Sequence, residues 1–200
     1  MFIFLPSFAE RSLGFVAGAF IIIAQIILLR DVYKRKISPG LLSWLGWASL
    51  MGISLIAQIF GKGWQWSLTG LLLSTLGCFA IFFTAWALKN YLVKKTDWIY
   101  LILGLICLLI YLASKDPWFT TGFAILADFI VGIPTLQHAY KNPASQKTSA
   151  WMFGFISWMF SLILCIGHSW LYAFFPIYLF LYNGVMIYLT RRINSPEAPD

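Results

Sequence analysis

The sequence is poor in charge. Only 10% of its 200 residues are Asp, Glu, Lys or Arg, against roughly 25% in an average soluble protein. Hydrophobic residues make up 60%, and the mean hydropathy is +0.82. A soluble chain this short could not bury so much apolar surface, because even a 150-residue domain buries only about 70% of its surface. The composition therefore excludes a soluble enzyme, a nucleic-acid-binding domain and a disordered tail, and it predicts a protein whose solvent is lipid.

Motifs of enzymes and metal sites are also missing. The chain has no glycine-rich phosphate loop, no HExxH and no GxSxG. Cys78, Cys107 and Cys165 lie far apart without CxxC spacing, and an odd count excludes a complete disulfide framework. His138 and His168 have no second His, Cys or acid at ligand spacing. We therefore expect neither enzyme activity nor a metal or other cofactor.

Long apolar runs dominate what is present. A helix needs about 20 apolar residues to cross a bilayer, and seven segments qualify: 12–30, 39–59, 66–88, 98–114, 118–140, 150–168 and 171–190. Because these runs are unbroken and do not alternate with polar residues, they favour helices over barrel strands. The sequence predicts an all-α membrane protein with seven transmembrane helices.

The basic residues predict the orientation. With seven spans, eleven Lys and Arg fall on the side of the C-terminus and three on the side of the N-terminus. Positive residues stay cytoplasmic. We therefore expect a protein of the bacterial inner membrane with its N-terminus outside the cell and its C-terminus in the cytoplasm. Most of the net charge of +7 is then explained by the orientation of the chain in the membrane.

The sequence contains an internal repeat. The segment around Tyr33, LRDVYKRKISPGLLSW, ends at Trp44, and the segment around Tyr140, LQHAYKNPASQKTSAW, ends at Trp151. Tyr-Lys and Trp recur at a single offset of 107 residues. Each copy follows the first span of a three-span block, an arrangement used by secondary transporters. We predict two parallel three-helix repeats and a linker helix, divided as 1–95, 96–116 and 117–192, followed by a cytoplasmic tail at 193–200.

This plan resembles the SWEET and PQ-loop superfamily of small-solute transporters, which have 3+1+3 helices with the N-terminus outside. Pro134 and Tyr140-Lys141 match part of the family's Pro-Gln pair and basic stretch, with Thr135 in place of the Gln. Asn183 matches the Asn that SWEET-type members carry in the third helix of a repeat. In the first repeat, Ser74 and Thr75 stand near that height. The resemblance implies a transporter of a sugar or another small polar solute.

Polar residues deep inside the spans are the candidate binding site. Asp128 is the only acid well inside a span, about 15 Å from its end, where a charge costs at least ~2.5 kcal/mol. It is a candidate for proton relay or for contact with a cationic substrate, and the alternative is a protonated Asp that bonds a neighbouring helix. Asn183 reaches a similar depth, and its alternative role is an interhelical hydrogen bond.

Further candidates are less specific. Trp158 and Ser157 lie at the midpoint of the sixth span, where an indole could stack on a sugar or heterocycle, and Gln25 is polar within the first. Pro134 interrupts the fifth helix and is either a hinge or a static kink. Six Trp near span ends are expected to be interfacial anchors: Trp44, Trp64, Trp98, Trp118, Trp151 and Trp170.

These features together predict a small-solute transporter that works by alternating access, as a uniporter or coupled to protons. Its partners would be a small-molecule substrate, the lipid bilayer and, in the coupled case, a proton, whereas nucleic acid is excluded and oligomerisation stays open. Sugars, cationic or amino-acid-like solutes and a vitamin precursor compete as substrates. The rival from another class is a non-transporting membrane protein that binds a partner or a lipid.

Overall fold

The computed structural model describes residues 7–62, 64, 66–113, 117–166 and 170–192. Over those residues the chain forms seven α-helices and two short 3₁₀ helices, and no strand. The α-helices are α1 (Ser7–Tyr33), α2 (Leu41–Lys62), α3 (Thr69–Ala87), α4 (Lys95–Ala113), α5 (Pro117–Lys141), α6 (Ala150–Leu164) and α7 (Trp170–Arg191). The predicted all-α class and the number of helices are confirmed.

The connection before α2 is fastened to the connection after α3. Leu92 donates its backbone N–H to the Pro39 carbonyl at 2.8 Å, and the Leu41 N–H donates to the Leu92 carbonyl at 3.1 Å. Pro39 and Gly40 also set the start of α2, because proline fixes the backbone just outside the helix. The α6 helix ends at Leu164, four residues before the predicted limit, and Lys115, Asp116 and His168 lie outside the described residues.

Four helical segments within the described residues are long and apolar enough to cross a membrane: Phe8–Tyr33, Thr69–Ala87, Thr121–Lys141 and Ala173–Arg191. Leu41–Ile56 and Ala150–Leu164 are shorter apolar helices. Large hydrophobic side chains on the outer surface, such as Phe15 and Leu109, are more than half exposed, which suits contact with lipid rather than water. These properties are consistent with a membrane protein.

The helices surround a common centre. The α3 helix packs against both α1 and α2, and α7 packs against both α5 and α6, while α1 lies along α6 and α5 along α2 and α4. Small residues permit the closest approaches. A Cβ on Gly46 would lie 2.2 Å from Val131 Cγ1, and one on Gly104 would lie 2.5 Å from Val131 Cγ2. Val131 therefore fits between α2 and α4 and holds α5 close to both.

Candidate functional site: a polar and aromatic cavity

A cavity of about 70 Å³ lies where α1, α2, α3, α5, α6 and α7 meet. Its polar wall is formed by Gln25, Ser74, Cys78, Asp128 and Asn183, and its aromatic wall by Trp44, Trp47, Trp151, Trp158, Tyr178 and Tyr182. The structure thus brings together five of the residues that the sequence singled out as polar or aromatic site candidates: Gln25, Ser74, Asp128, Trp158 and Asn183.

Asp128 is fully buried in α5 and faces this cavity. No described residue donates a well-formed hydrogen bond to either of its carboxyl oxygens, although the Tyr178 hydroxyl of α7 lies beside them. The Asp128 backbone carbonyl accepts a hydrogen bond from Trp47 Nε1 at 3.1 Å, which fixes α5 against α2. Burial of a carboxyl that has only a neighbouring tyrosine hydroxyl is costly, so a proton or a guest molecule in the cavity would stabilise this group.

Gln25 and Asn183 each lie against a glycine of a facing helix. A Cβ on Gly77 would be 2.2 Å from Gln25 Cδ, and a Cβ on Gly154 would be 2.5 Å from Asn183 Oδ1. Gln25 Oε1 is buried and finds no hydrogen-bond partner among the described residues, whereas Asn183 Nδ2 donates to the Leu179 carbonyl of its own helix at 2.7 Å. Both amides therefore occupy the cavity wall only because the opposite residue lacks a side chain.

Three rings of the aromatic wall meet edge to face. Trp44 and Trp47 have centroids 5.2 Å apart at 86°, and Trp47 and Tyr182 have centroids 5.4 Å apart at 86°. Edge-to-face packing of this kind suits the positive edge and negative face of each ring. The Tyr182 hydroxyl donates to the Gly132 carbonyl at 2.9 Å, and Trp44 Nε1 is buried without a partner. Ring packing and the Tyr182 hydrogen bond therefore fix the position of Tyr182 in the wall.

The expectation that Trp44 and Trp151 are interfacial anchors is wrong. Their exposed fractions are 3% and 6%, because the first turns of α2 and α6 point these indoles inward to the cavity. The other four Trp near span ends are exposed, as expected for anchors: Trp64, Trp98, Trp118 and Trp170.

Two predicted site residues lie outside the set that lines the cavity. The Thr75 hydroxyl donates to the Leu71 carbonyl of its own helix at 2.8 Å. The Ser157 hydroxyl donates across to the Ala17 carbonyl of α1 at 2.8 Å. Both hydroxyls are satisfied by backbone, and Ser157 therefore joins α6 to α1 instead of facing a guest.

Pro134 lies inside α5, and the helix continues through it from Pro117 to Lys141. Because proline has no N–H, the Ile130 carbonyl loses its usual helical donor, so the helix has one fewer internal hydrogen bond here. His138, one turn further on, is buried. Within the described part of the chain, no three His, Cys, Asp or Glu side chains are arranged to hold a metal ion.

Sequence reasoning missed Tyr178, Tyr182, Trp47 and the inward position of Trp44. One signal was present: Tyr178 and Tyr182 are four residues apart and therefore share a face of α7, and Tyr182 adjoins Asn183. A face that carries two hydroxyls and an amide is more polar than the lipid-facing sides of the same helix.

Comparison of this chain with models of protein families, with curated proteins and with solved structures gave no match in any of the three. The geometry of the cavity is therefore the basis on which a function can be proposed.

Proposed function

We propose that this chain is a small-solute membrane transporter of the SWEET and PQ-loop type, which moves a small polar solute through the central cavity by alternating access. One observation carries the proposal: the buried Asp128 carboxyl faces a cavity and has no well-formed hydrogen bond from the described chain. A residue that served only to join helices would have its polar atoms paired. All seven helices cross the membrane in this proposal.

The helix packing supports two parallel repeats with α4 as the linker. The offset of 107 residues maps α1 onto α5 and α2 onto α6. Under this correspondence the α1–α3 and α2–α3 contacts match the α5–α7 and α6–α7 contacts, and the α1–α6 contact matches the α5–α2 contact. A pseudo-twofold axis along the membrane normal would pass through the cavity, which is where transporters built from such repeats bind their substrates.

The end of the bundle that we assign to the cytoplasm is closed by hydrogen bonds between the two halves. The Ser38 N–H donates to the Ser145 carbonyl at 3.1 Å, and Gln146 Nε2 donates to the Ser38 carbonyl at 2.7 Å. The Thr148 hydroxyl donates to Asp31 Oδ2 at 2.8 Å. These contacts must break for a solute to leave on that side, and we propose Pro134 as the hinge that lets the inner part of α5 move.

The rival function is a non-transporting membrane protein that uses Asp128 and Asn183 only to join helices. Asn183 fits that role in part, since its Nδ2 is bonded within its own helix. Asp128 fits it less well, because it lines the cavity and its oxygens make no well-formed hydrogen bond within the described residues, although the Tyr178 hydroxyl of α7 lies beside them. Uniport and proton coupling are both compatible with one buried acid, and sugars, amines, amino acids and vitamin precursors are the substrate classes to test.

Uptake into proteoliposomes separates the two functions. A panel of radiolabelled sugars, amines, amino acids and vitamin precursors is offered to the wild-type protein, to Asp128→Asn and to Ser49→Ala. Ser49 is a matched control because its hydroxyl bonds only the Leu45 carbonyl of its own helix. We expect saturable uptake of one class, lost in Asp128→Asn and retained in Ser49→Ala. If the whole panel shows no saturable uptake and Asp128→Asn alters only thermal stability, the chain is not a transporter.

A further inference from the structure

The unpaired atoms of the cavity wall are mainly hydrogen-bond acceptors. Three buried oxygens make no well-formed hydrogen bond within the described residues: Asp128 Oδ1, Asp128 Oδ2 and Gln25 Oε1. The amide oxygen of Gln25 is always an acceptor, and both oxygens of Asp128 are acceptors when its carboxyl is ionised. Trp44 Nε1 is a donor without a partner among the described residues, and the Tyr178 hydroxyl can donate or accept a hydrogen bond. Among the described residues that line the cavity, none is Arg, Lys or His. The wall therefore favours a guest that brings positive charge or hydrogen-bond donors.

The aromatic residues strengthen the same preference. Four indoles and two phenols line the cavity, and two ring pairs meet at 86°, so that adjacent walls stand at right angles. The faces of such rings carry negative electrostatic potential and attract cations within about 6 Å, Trp most strongly. Clustered aromatic rings are the arrangement by which proteins recognise quaternary ammonium groups.

The size of the cavity separates small cations from sugars. One water-sized group needs about 10–15 Å³ of cavity volume, so about 70 Å³ holds roughly five such groups. An alkylammonium such as tert-butylammonium has about that many non-hydrogen atoms, whereas a hexose has more than twice as many.

We propose that the cavity binds a small organic ammonium cation, with its charge beside the Asp128 carboxylate and its alkyl groups against Trp44, Trp47 and Trp151. This names the substrate class of the transporter proposed above and rests on that function only for movement across the membrane. Binding can be measured in detergent, where transport has no influence on the result.

The test compares two probes of one shape. Isothermal titration calorimetry on the full chain in detergent measures tert-butylammonium and its neutral isostere tert-butanol. We expect tert-butylammonium to bind with a Kd at least about tenfold lower than that of tert-butanol. Asp128→Asn should abolish most of this difference, and Ser49→Ala should retain it. Because the wild-type protein alone gives the comparison, the proposal remains falsifiable even if Asp128→Asn does not fold.

Equal affinity for the two probes, or no binding of tert-butylammonium, would overturn the assignment. If the proteoliposomes take up a sugar while the ammonium does not bind, the transporter stands and the substrate class is wrong. If the ammonium binds with the expected preference while no solute is transported, the ammonium site stands and the transport function fails.

Discussion

Trp44 and Trp151 meet at the cavity wall with ring centroids 6.4 Å apart and planes inclined by 33°. Their positions differ by 107 residues, the same offset at which Tyr-Lys recurs in the sequence. Each opens the first turn of a helix, and each is almost completely buried. Two indoles at this sequence offset therefore lie side by side in the cavity wall.

Truncation of one of these indoles should be costly. In Trp151→Ala we expect the free energy of unfolding to fall by about 3–5 kcal/mol, the usual range for a buried Trp, because the hydrogen bond from Nε1 to the Gln146 carbonyl is lost as well. Trp64→Ala is the control, since Trp64 is 45% exposed. Denaturant titration in detergent checks both variants, and an equal loss in the two would mean that Trp151 is not a core residue.

Two helical glycines should respond to alanine in opposite directions. In Gly154→Ala the new Cβ would lie 2.5 Å from Asn183 Oδ1, so Asn183 must move and we expect a loss of about 1–3 kcal/mol. Gly122 has no neighbouring atom within 4 Å of the Cβ position, and Gly122→Ala should gain about 0.5–1 kcal/mol by its better helix propensity. Thermal unfolding in detergent measures both, and a neutral Gly154→Ala would show that Asn183 does not rest on that glycine.

The sequence predicted the number of helices, and several of the polar candidates that it indicated line the cavity. Seven apolar runs separated by turn residues coincide with seven helices, and Asp128 stands out because a charge inside lipid is expensive. The rotation of each helix about its axis could not be predicted. Where apolar residues surround a helix on all sides, no periodicity distinguishes an inward face, and so Trp44 was assigned to the interface and Tyr178 was not identified.

Thr75 and Ser157 show a second limit. A hydroxyl in a membrane helix can bind a solute, join two helices or bond the carbonyl four residues earlier, and these outcomes share one sequence pattern. Thr75 bonds its own helix, and Ser157 bonds α1. Only side-chain rotamers and neighbouring backbone decide between them, and neither is encoded in hydropathy.

Topology can be checked with reporter fusions. We expect a reporter joined after residue 62 to be active outside the cell and one joined after residue 95 to be active in the cytoplasm, because most Lys and Arg lie on the side of residue 95. Alkaline phosphatase and green fluorescent protein report the two sides. The reverse pattern would show that the protein has the opposite orientation. If both reporters were found on the same side, α3 would not cross the membrane.

The contact between Asp31 and Thr148 should control opening at the end of the bundle that we assign to the cytoplasm. Asp31 is 5% exposed and accepts the Thr148 hydroxyl at 2.8 Å, so Thr148→Val removes a hydrogen bond between the two halves without a large change in shape. We expect Cys78, which lines the cavity, to react faster with thiol reagents added on the cytoplasmic side.

Ser145→Ala is the control for this variant, because the Ser145 hydroxyl bonds only the nearby Asn142 carbonyl. Its labelling rate should equal that of the wild type. If Cys78 is labelled no faster in Thr148→Val than in Ser145→Ala, the contact between Asp31 and Thr148 does not hold the cytoplasmic end closed.

The most direct test of alternating access is the reactivity of Cys78 from each side of the membrane. With Cys107→Ala and Cys165→Ala as background, Cys78 is the one remaining thiol, and a membrane-impermeant quaternary ammonium thiosulfonate is added to either face of oriented vesicles. If access alternates, Cys78 will react from both faces in the folded protein, and tert-butylammonium will slow the reaction. A Cys78 that stays unreactive from both faces until the protein unfolds would contradict alternating access.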